Sequence, residues 1–298
     1  MLRGVITPLV SPADAQDELD RSALAKEADR LLASGIDGLY LCGGTGDGSR
    51  LRRTEREHIA AEVVPRVRAA GGSAVVHVGQ TFQRDAVALA EHAASVGADA
   101  VAAIPPNAAW PQVLDFYRAL AATGVPVVVY YIPALGVTAS FEQLADLLAI
   151  DGVAGIKMSD FNLFLMSRIK SAFPASCVFS GYDEVLVQGL SSGADGTIGT
   201  WSNLLPDFYA AAFAAVREGR FADADIARRR LDGFLRVGWE HGIIETFSEL
   251  MHVAGHAQKC FRSPDRWRPG HLPADVSRRL LDEAAAMNAR PFDIERSM

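Results

Sequence analysis

Eight short apolar runs recur along the chain, and each is followed by a longer amphipathic stretch. The runs are GVITPLV (4–10), GLYLCGG (38–44), AVVHVG (74–79), AVAAIPP (100–106), PVVVYYI (126–132), VAGIKMS (153–159), CVFSG (177–181) and GTIGTW (196–201). They are rich in Val, Ile or aromatics, and most lack the period-two alternation of a half-exposed strand. That pattern suits parallel strands buried on both faces. The stretches between them, such as RSALAKEADRLLAS and RDAVALAEHAASV, carry helical periodicity. Several reach a glycine before the next strand (Gly35, Gly71, Gly97, Gly124), as a helix C-terminus prefers. Eight strands alternating with eight helices predict an α/β chain closed as a (β/α)8 TIM barrel. A doubly wound sheet fits less well, because no GxGxxG follows the first strand. The count reaches eight by about residue 218, so residues 1–218 are read as the barrel. Residues 219–298 are read as a C-terminal helical extension packed on it, with helices near 221–238, 243–258 and 273–288. No Pro/Ser-rich linker divides the chain, which predicts one compact unit.

Composition narrows the function. Apolar residues make up 49% of the 298 and charged residues 22%, enough for a sizeable core. The formal net charge of −7 argues against binding nucleic acid through bulk charge. The dense basic run Arg228-Arg229-Arg230 falls in a helical pattern and reads as a solvated face. Cys42, Cys177 and Cys260 lie far apart with no CxxC or metal spacing, as expected of buried thiols in a reducing compartment. The N-terminus runs straight into a strand pattern, without the features of a signal peptide. No apolar run approaches a membrane span. A cytoplasmic protein with no membrane or nucleic-acid partner is expected.

In such barrels chemistry sits at the C-terminal ends of the strands. Lys157 stands near the end of the sixth run. A lysine there either snorkels to solvent or, desolvated and neutral, serves as a nucleophile toward a carbonyl carbon. Tyr130 ends the fifth run, and Tyr131 should point the opposite way. A barrel-facing phenol beside an amine either fills the barrel or relays protons. The second run enters CGGTGDGSR, whose glycines and Thr45 suit a cradle for a carboxylate or phosphate, or a tight turn. It lacks the Gly-Lys-Ser/Thr ending of a nucleotide-binding loop. Asp183 and Glu184 follow the seventh run. They are either helix-start acids favoured by the helix dipole or acceptors for substrate hydroxyls.

Taken together, GGTGDGSRL (43–51), YYIPALGV (130–137), GIKMS (155–159) and SGYDEVLVQGLSSGADGTIGT (180–200) resemble one family. It is the pyruvate-dependent class I aldolases that include dihydrodipicolinate synthase and N-acetylneuraminate lyase. The resemblance implies a (β/α)8 barrel with a helical extension, a homotetramer, and no metal or organic cofactor. It assigns Lys157 as the Schiff-base lysine and Tyr130 as the proton carrier. Thr45 matches the second hydroxyl residue of the carboxylate-binding loop. Gly44 stands where the family usually has Ser or Thr, keeping the backbone amide and losing a hydroxyl. The GYDE stretch points to the N-acetylneuraminate lyase branch, in which Asp183 and Glu184 would bind sugar hydroxyls. Ser159, Thr200 and the backbone of Gly181 would make further contacts. Ala134-Leu135 stand where the synthase branch usually carries an arginine, so lysine biosynthesis ranks low. The stretch PPNAAWP (105–111) lacks the tyrosine that often reaches into a neighbouring subunit, and Tyr131 replaces the usual asparagine. The expected activity is carbon–carbon cleavage or formation between pyruvate and an aldehyde, on a 2-keto acid such as a sugar acid. Alternatives are a dehydratase or aldolase of another 2-keto-3-deoxy sugar acid, a synthase-like enzyme, and a non-catalytic keto-acid binder.

Overall fold

The computed structural model describes residues 2–80, 82–135, 137–262 and 270–293. Gly136, inside the 130–137 stretch, and residues 294–298 of the extension lie outside the described residues. The elements run β1 (Gly4–Pro8), α1 (Arg21–Leu32), β2 (Gly38–Leu41), α2 (Arg53–Ala69), β3 (Ser73–His77), α3 (Gln83–Ser95), β4 (Ala100–Ala103) and α4 (Trp110–Ala121). They continue with β5 (Val127–Tyr131), α5 (Phe141–Leu148), β6 (Val153–Met158), α6 (Leu163–Ala172), β7 (Cys177–Ser180), α7 (Leu186–Ser191), β8 (Gly196–Thr197) and α8 (Pro206–Arg217). All eight strands are parallel, and β8 pairs with β1 to close the barrel. Three more helices follow: α9 (Phe221–His241), α10 (Ile243–Val253) and α11 (Ala274–Ala289). The architecture is the (β/α)8 barrel with C-terminal helices that the alternation predicts. No helix among the described residues is long and apolar enough to cross a membrane.

Strand alternation sorts the side chains into two cores. Ile6, Tyr40, Val75, Val128, Cys177 and Phe179 fill the barrel interior. Leu39, Leu41, Val127, Val129, Tyr131, Ile156 and Met158 face outward against the helices. Tyr130 and Tyr131 therefore separate as the pleat requires. The interior contribution of β4 is only Ala100 and Ala102, which leaves room for the rings of Tyr40 and Phe179.

A repeated tripeptide closes the bottom of the barrel. Gly35-Ile36-Asp37, Gly97-Ala98-Asp99 and Gly193-Ala194-Asp195 precede β2, β4 and β8. Each aspartate accepts from the backbone of the preceding odd strand, at Val5 N (2.8 Å), Ala74 N (2.8 Å) and Val178 N (2.9 Å). Its own N–H returns to the carbonyl of that same residue. Leaving such a buried N–H unpaired costs about 1–3 kcal/mol. A Cβ on Gly4 would meet Asp37 Oδ2 at 2.0 Å, and Gly4 has φ +87°, so the clamp at β1 demands glycine.

Several element ends differ from the sequence reading. The run 38–44 pairs only to Leu41, because Cys42 turns into the left-handed region at φ 58°. The run 196–201 pairs only at Gly196–Thr197, and Trp201 lies in a short turn. Gly71, Gly97 and Gly124 end helices at positive φ, whereas Gly35 does not, and its N–H instead reaches Asp207 Oδ1 (3.1 Å). The helix expected over 243–258 stops at Val253, and left-handed Gly255 turns the chain away. Arg228 and Arg229 lie on α9 with Asp225 as partner, on the solvated face expected. Cys42, Cys177 and Cys260 are free and buried.

Trp201 joins barrel and extension. It is buried, with ring centroids 5.4 Å from Phe234 on α9 and 5.6 Å from Phe247 on α10, both edge-on.

Candidate active site

Lys157 lies on the inward face of β6, in register with Tyr130 of β5 and Phe179 of β7. It is 5% exposed and forms no ion pair with a described residue. Its Nζ lies 4.1 Å from the ring centroid of Tyr130 and 4.9 Å from that of Tyr40. Aromatic faces, not a carboxylate, surround the amine. Glycines stand on β6 and just after β7 where no side chain fits. A Cβ on Gly155 would meet the Cys177 carbonyl at 2.1 Å, and one on Gly181 would meet Ser159 Oγ at 2.3 Å and Lys157 Cε at 3.0 Å.

The rings of Tyr40, His77 and Tyr130 form a triangle under the amine, with centroids 6.1–6.3 Å apart. Arg56 of α2, 1% exposed, braces it from outside, donating to the carbonyls of Gly79 (3.0 Å) and His77. Its Nη2 also lies 3.4 Å from His77 Nδ1. A guanidinium only donates, so Nδ1 is the acceptor and the neutral imidazole carries its proton on Nε2. Burial, then the charges of Arg56 and Lys157, hold His77 well below the ordinary histidine range. Burial pushes the Tyr40 phenol well up, so both groups stay uncharged.

The 42–48 loop rises beside this floor. A Cβ on Gly48 would meet the Cys42 carbonyl at 1.8 Å, so the turn admits only glycine there. Gly44 differs: a Cβ there would meet nothing within 4 Å. The N–H groups of Gly44 and Thr45 donate to no described group, and Thr45 Oγ1 bonds Thr200 Oγ1 at 2.8 Å. The extension clamps the loop from above. Arg262 donates its backbone N–H to Asp47 Oδ2 (3.0 Å) and its side chain to Glu55 Oε1 (3.0 Å) and to the Asp17 carbonyl (2.7 Å). Lys259 pairs with Asp17 at 2.8 Å, and its carbonyl accepts from Ala13 N.

Asp183 and Glu184 part company. The Asp183 carboxylate accepts from Thr200 N (3.0 Å), Trp201 N (3.3 Å) and the Tyr209 hydroxyl, capping the turn after β8. Burial pushes its pKa up to about 7 against the pull of those donors. The half-buried Glu184 carboxylate meets only its own backbone N–H, and burial raises its pKa against that bond.

Lys157, Tyr130, Gly44, Thr45, Ser159, Gly181, Asp183, Glu184 and Thr200 all line one cavity of about 470 Å³. The structure adds Tyr40, His77, Ile104, Ile132, Ile243 and Ile244 to its wall. A histidine inside an apolar strand run was a legible signal for His77. Nothing in the helical pattern around Arg56 marked it as buried. No group of three or more His, Cys, Asp or Glu suited to a metal occurs among the described residues.

The Asp183 carboxyl gives a pH signature. Its folded pKa of about 7 exceeds its ordinary 3.8, so the folded chain holds a proton there that the unfolded chain has lost. This group's contribution to stability is greatest below about pH 4, falls as pH rises to about 7, and is constant above. Thermal midpoints of wild type and Asp183→Asn, compared from pH 4 to 8, should show the difference moving against the wild type through that window. A pH-independent difference would mean that Asp183 is ionised in the fold throughout.

The comparisons with known proteins agree with this geometry. Residues 1–266 match the dihydrodipicolinate synthetase family. An N-acetylneuraminate lyase of an Enterobacter species is 34% identical over 257 residues, covering 84% of this chain and 86% of that enzyme. Among solved structures, the sialic acid aldolase of Ruminococcus gnavus superposes with a TM-score of 0.86 at 22% identity, covering 98% and 99% of the two chains. The 4-hydroxy-tetrahydrodipicolinate synthase of Methylacidiphilum fumariolicum gives 0.85 at 22%, covering 98% and 100%. These two show the shared fold. With the barrel, its extension and the family match over most of its length, the chain belongs to the dihydrodipicolinate synthetase family.

Proposed function

We propose that this chain is a class I aldolase, a carbon–carbon lyase that holds pyruvate as a Schiff base on Lys157 and cleaves or forms a sugar acid of the N-acetylneuraminate type. The observation that carries the reading is the amine of Lys157, unpaired on the inner wall beside the Tyr130 phenol, at the floor of a cavity with free backbone donors. The relatives named N-acetylneuraminate lyase support the substrate class.

The keto acid's carboxylate sits on the N–H groups of Gly44 and Thr45. The neutral amine of Lys157 attacks the keto carbon, and Tyr130 gives its phenol proton to the departing hydroxyl of the carbinolamine, so that water leaves and a protonated imine and a Tyr130 phenolate remain. In cleavage, Tyr130 takes the proton of the C4 hydroxyl and the C3–C4 bonding electrons flow into the imine. An aldehyde leaves and an enamine remains. Tyr130 returns a proton to C3, and water hydrolyses the imine to free pyruvate. Glu184 accepts hydrogen bonds from hydroxyls of the aldehyde half. Leu135 near the cavity mouth carries no charge for a second carboxylate, which counts against the synthase reaction. The same proposal places the protein in the cytoplasm, supported by three unpaired buried thiols. It also makes the protein a homotetramer, supported by the exposed apolar side chains Phe161 and Phe164 (56% and 75%). Light scattering should return the mass of four chains, and the mass of one chain would remove the tetramer from the proposal.

Pyruvate with borohydride should leave a reduced adduct that peptide mass places on Lys157. A Lys157→Ala protein that still traps pyruvate would end the Schiff-base reading. Glu184→Ala should lower kcat/KM for N-acetylneuraminate cleavage roughly ten- to 150-fold, the worth of a hydrogen bond to a charged group. Pyruvate lacks hydroxyls, so trapping should persist in that variant. Equal loss on long and short 2-keto acids would reassign Glu184 to a structural role.

A further inference from the structure

The rim of the cavity carries both polar and aliphatic side chains. The loops after β6 and β7 bring Ser159, Tyr182 and Glu184 to it, and those after β4 and β5 bring Ile104, Ile132 and Leu135. Two more branched side chains arrive from outside the barrel. Gly242, at φ +94°, reverses the chain between α9 and α10, and the first turn of α10 places Ile243 and Ile244 on the cavity.

These aliphatic side chains are not core residues that happen to lie near a pocket. Ile104 and Ile132 are half-buried and belong to neither core, and Leu135 is 63% exposed. Ile243 and Ile244 are only half-buried although they rest on the main core. Few polar partners remain for the far end of a substrate. Thr45 and Thr200 bond each other, and three donors occupy the Asp183 carboxylate. An aldehyde with hydroxyls on every carbon would leave some of them unpaired against isoleucine, and such mismatches weaken binding steeply.

Resting on the aldolase reading above, we infer that Ile104, Ile132, Leu135, Ile243 and Ile244 form a specificity wall that takes an apolar acyl substituent of the aldehyde, while Ser159 and Glu184 take its hydroxyls. The C-terminal extension and the loops after β4 and β5 then select the substrate together, and the barrel floor supplies the chemistry.

The test is the condensation of pyruvate with mannosamines carrying N-formyl, N-acetyl, N-propanoyl and N-butanoyl groups. Burying one methylene is worth about 0.8 kcal/mol, so wild-type kcat/KM should rise about fourfold per added carbon until the wall is covered. Ile244→Ser and Ile132→Thr should each flatten that rise. They lie on separate parts of the chain, α10 and the loop after β5, so misfolding of one leaves the other as the test. A flat wild-type series, or an undiminished rise in both variants, overturns the wall. Borohydride trapping of pyruvate on the wild type separates the two ideas. Absence of the adduct sinks the aldolase reading, whereas an adduct with a flat acyl series sinks the wall alone.

Discussion

A long amine inside a closed, packed barrel is the constraint around which this structure is built. Gly181 leaves room for the Lys157 side chain, since a Cβ there would meet Lys157 Cε at 3.0 Å, and β4 contributes only alanines to the interior. The amine's neighbours are π faces, which attract it only in its ammonium form, by about 2 kcal/mol where solvent is excluded. A carboxylate in that place would pair with the amine and occupy the position a substrate carbon needs. Aromatic rings leave the lone pair's approach to a carbonyl open. The Arg56 brace serves the same end: its contact with Nδ1 fixes the tautomer of His77, and burial first, then the Arg56 charge, keeps that ring uncharged beneath the amine.

The polar connections of the site run toward packing. Asp183 ties the loop after β7 to the turn after β8, and that turn carries both Thr200, on the cavity wall, and Trp201, the anchor for α9 and α10. A carboxylate that looks like a ligand group in the sequence is thus held by the chain itself. Glu184, one residue on, is left to the cavity. Adjacent residues of one type diverge because the short turn over 183–185 sends their side chains to different surroundings.

The parts of this molecule legible in the sequence are those set by local pattern. The eight apolar runs, the opposite facing of Tyr130 and Tyr131, and the glycine-rich loop all follow from pleat and turn chemistry within a few residues. What escaped was long-range. The Gly-x-Asp repeat is plain in the letters, but its meaning depends on each aspartate meeting a strand 17 to 32 residues earlier. Burial of Arg56 depends on carbonyls of β3 and the following loop. The second and eighth apolar runs outlast their strands because hydrophobicity continues past the last paired residue into the walls of the site. Ile243 and Ile244 fit an ordinary amphipathic helix, and only the reversal at Gly242 reveals where they face.

The clamp of Arg262 and Lys259 onto Asp47, Glu55 and Asp17 has a temporal consequence. Those partners leave the ribosome more than 200 residues before Arg262 does. The amine, the phenol and the glycine-rich loop are all synthesised while the cavity still lacks its outer rim. The nascent barrel is therefore an open cup, and the last quarter of the chain must arrive to brace its loop and narrow its mouth. Completion of the pocket is thus tied to the docking of the C-terminal helices.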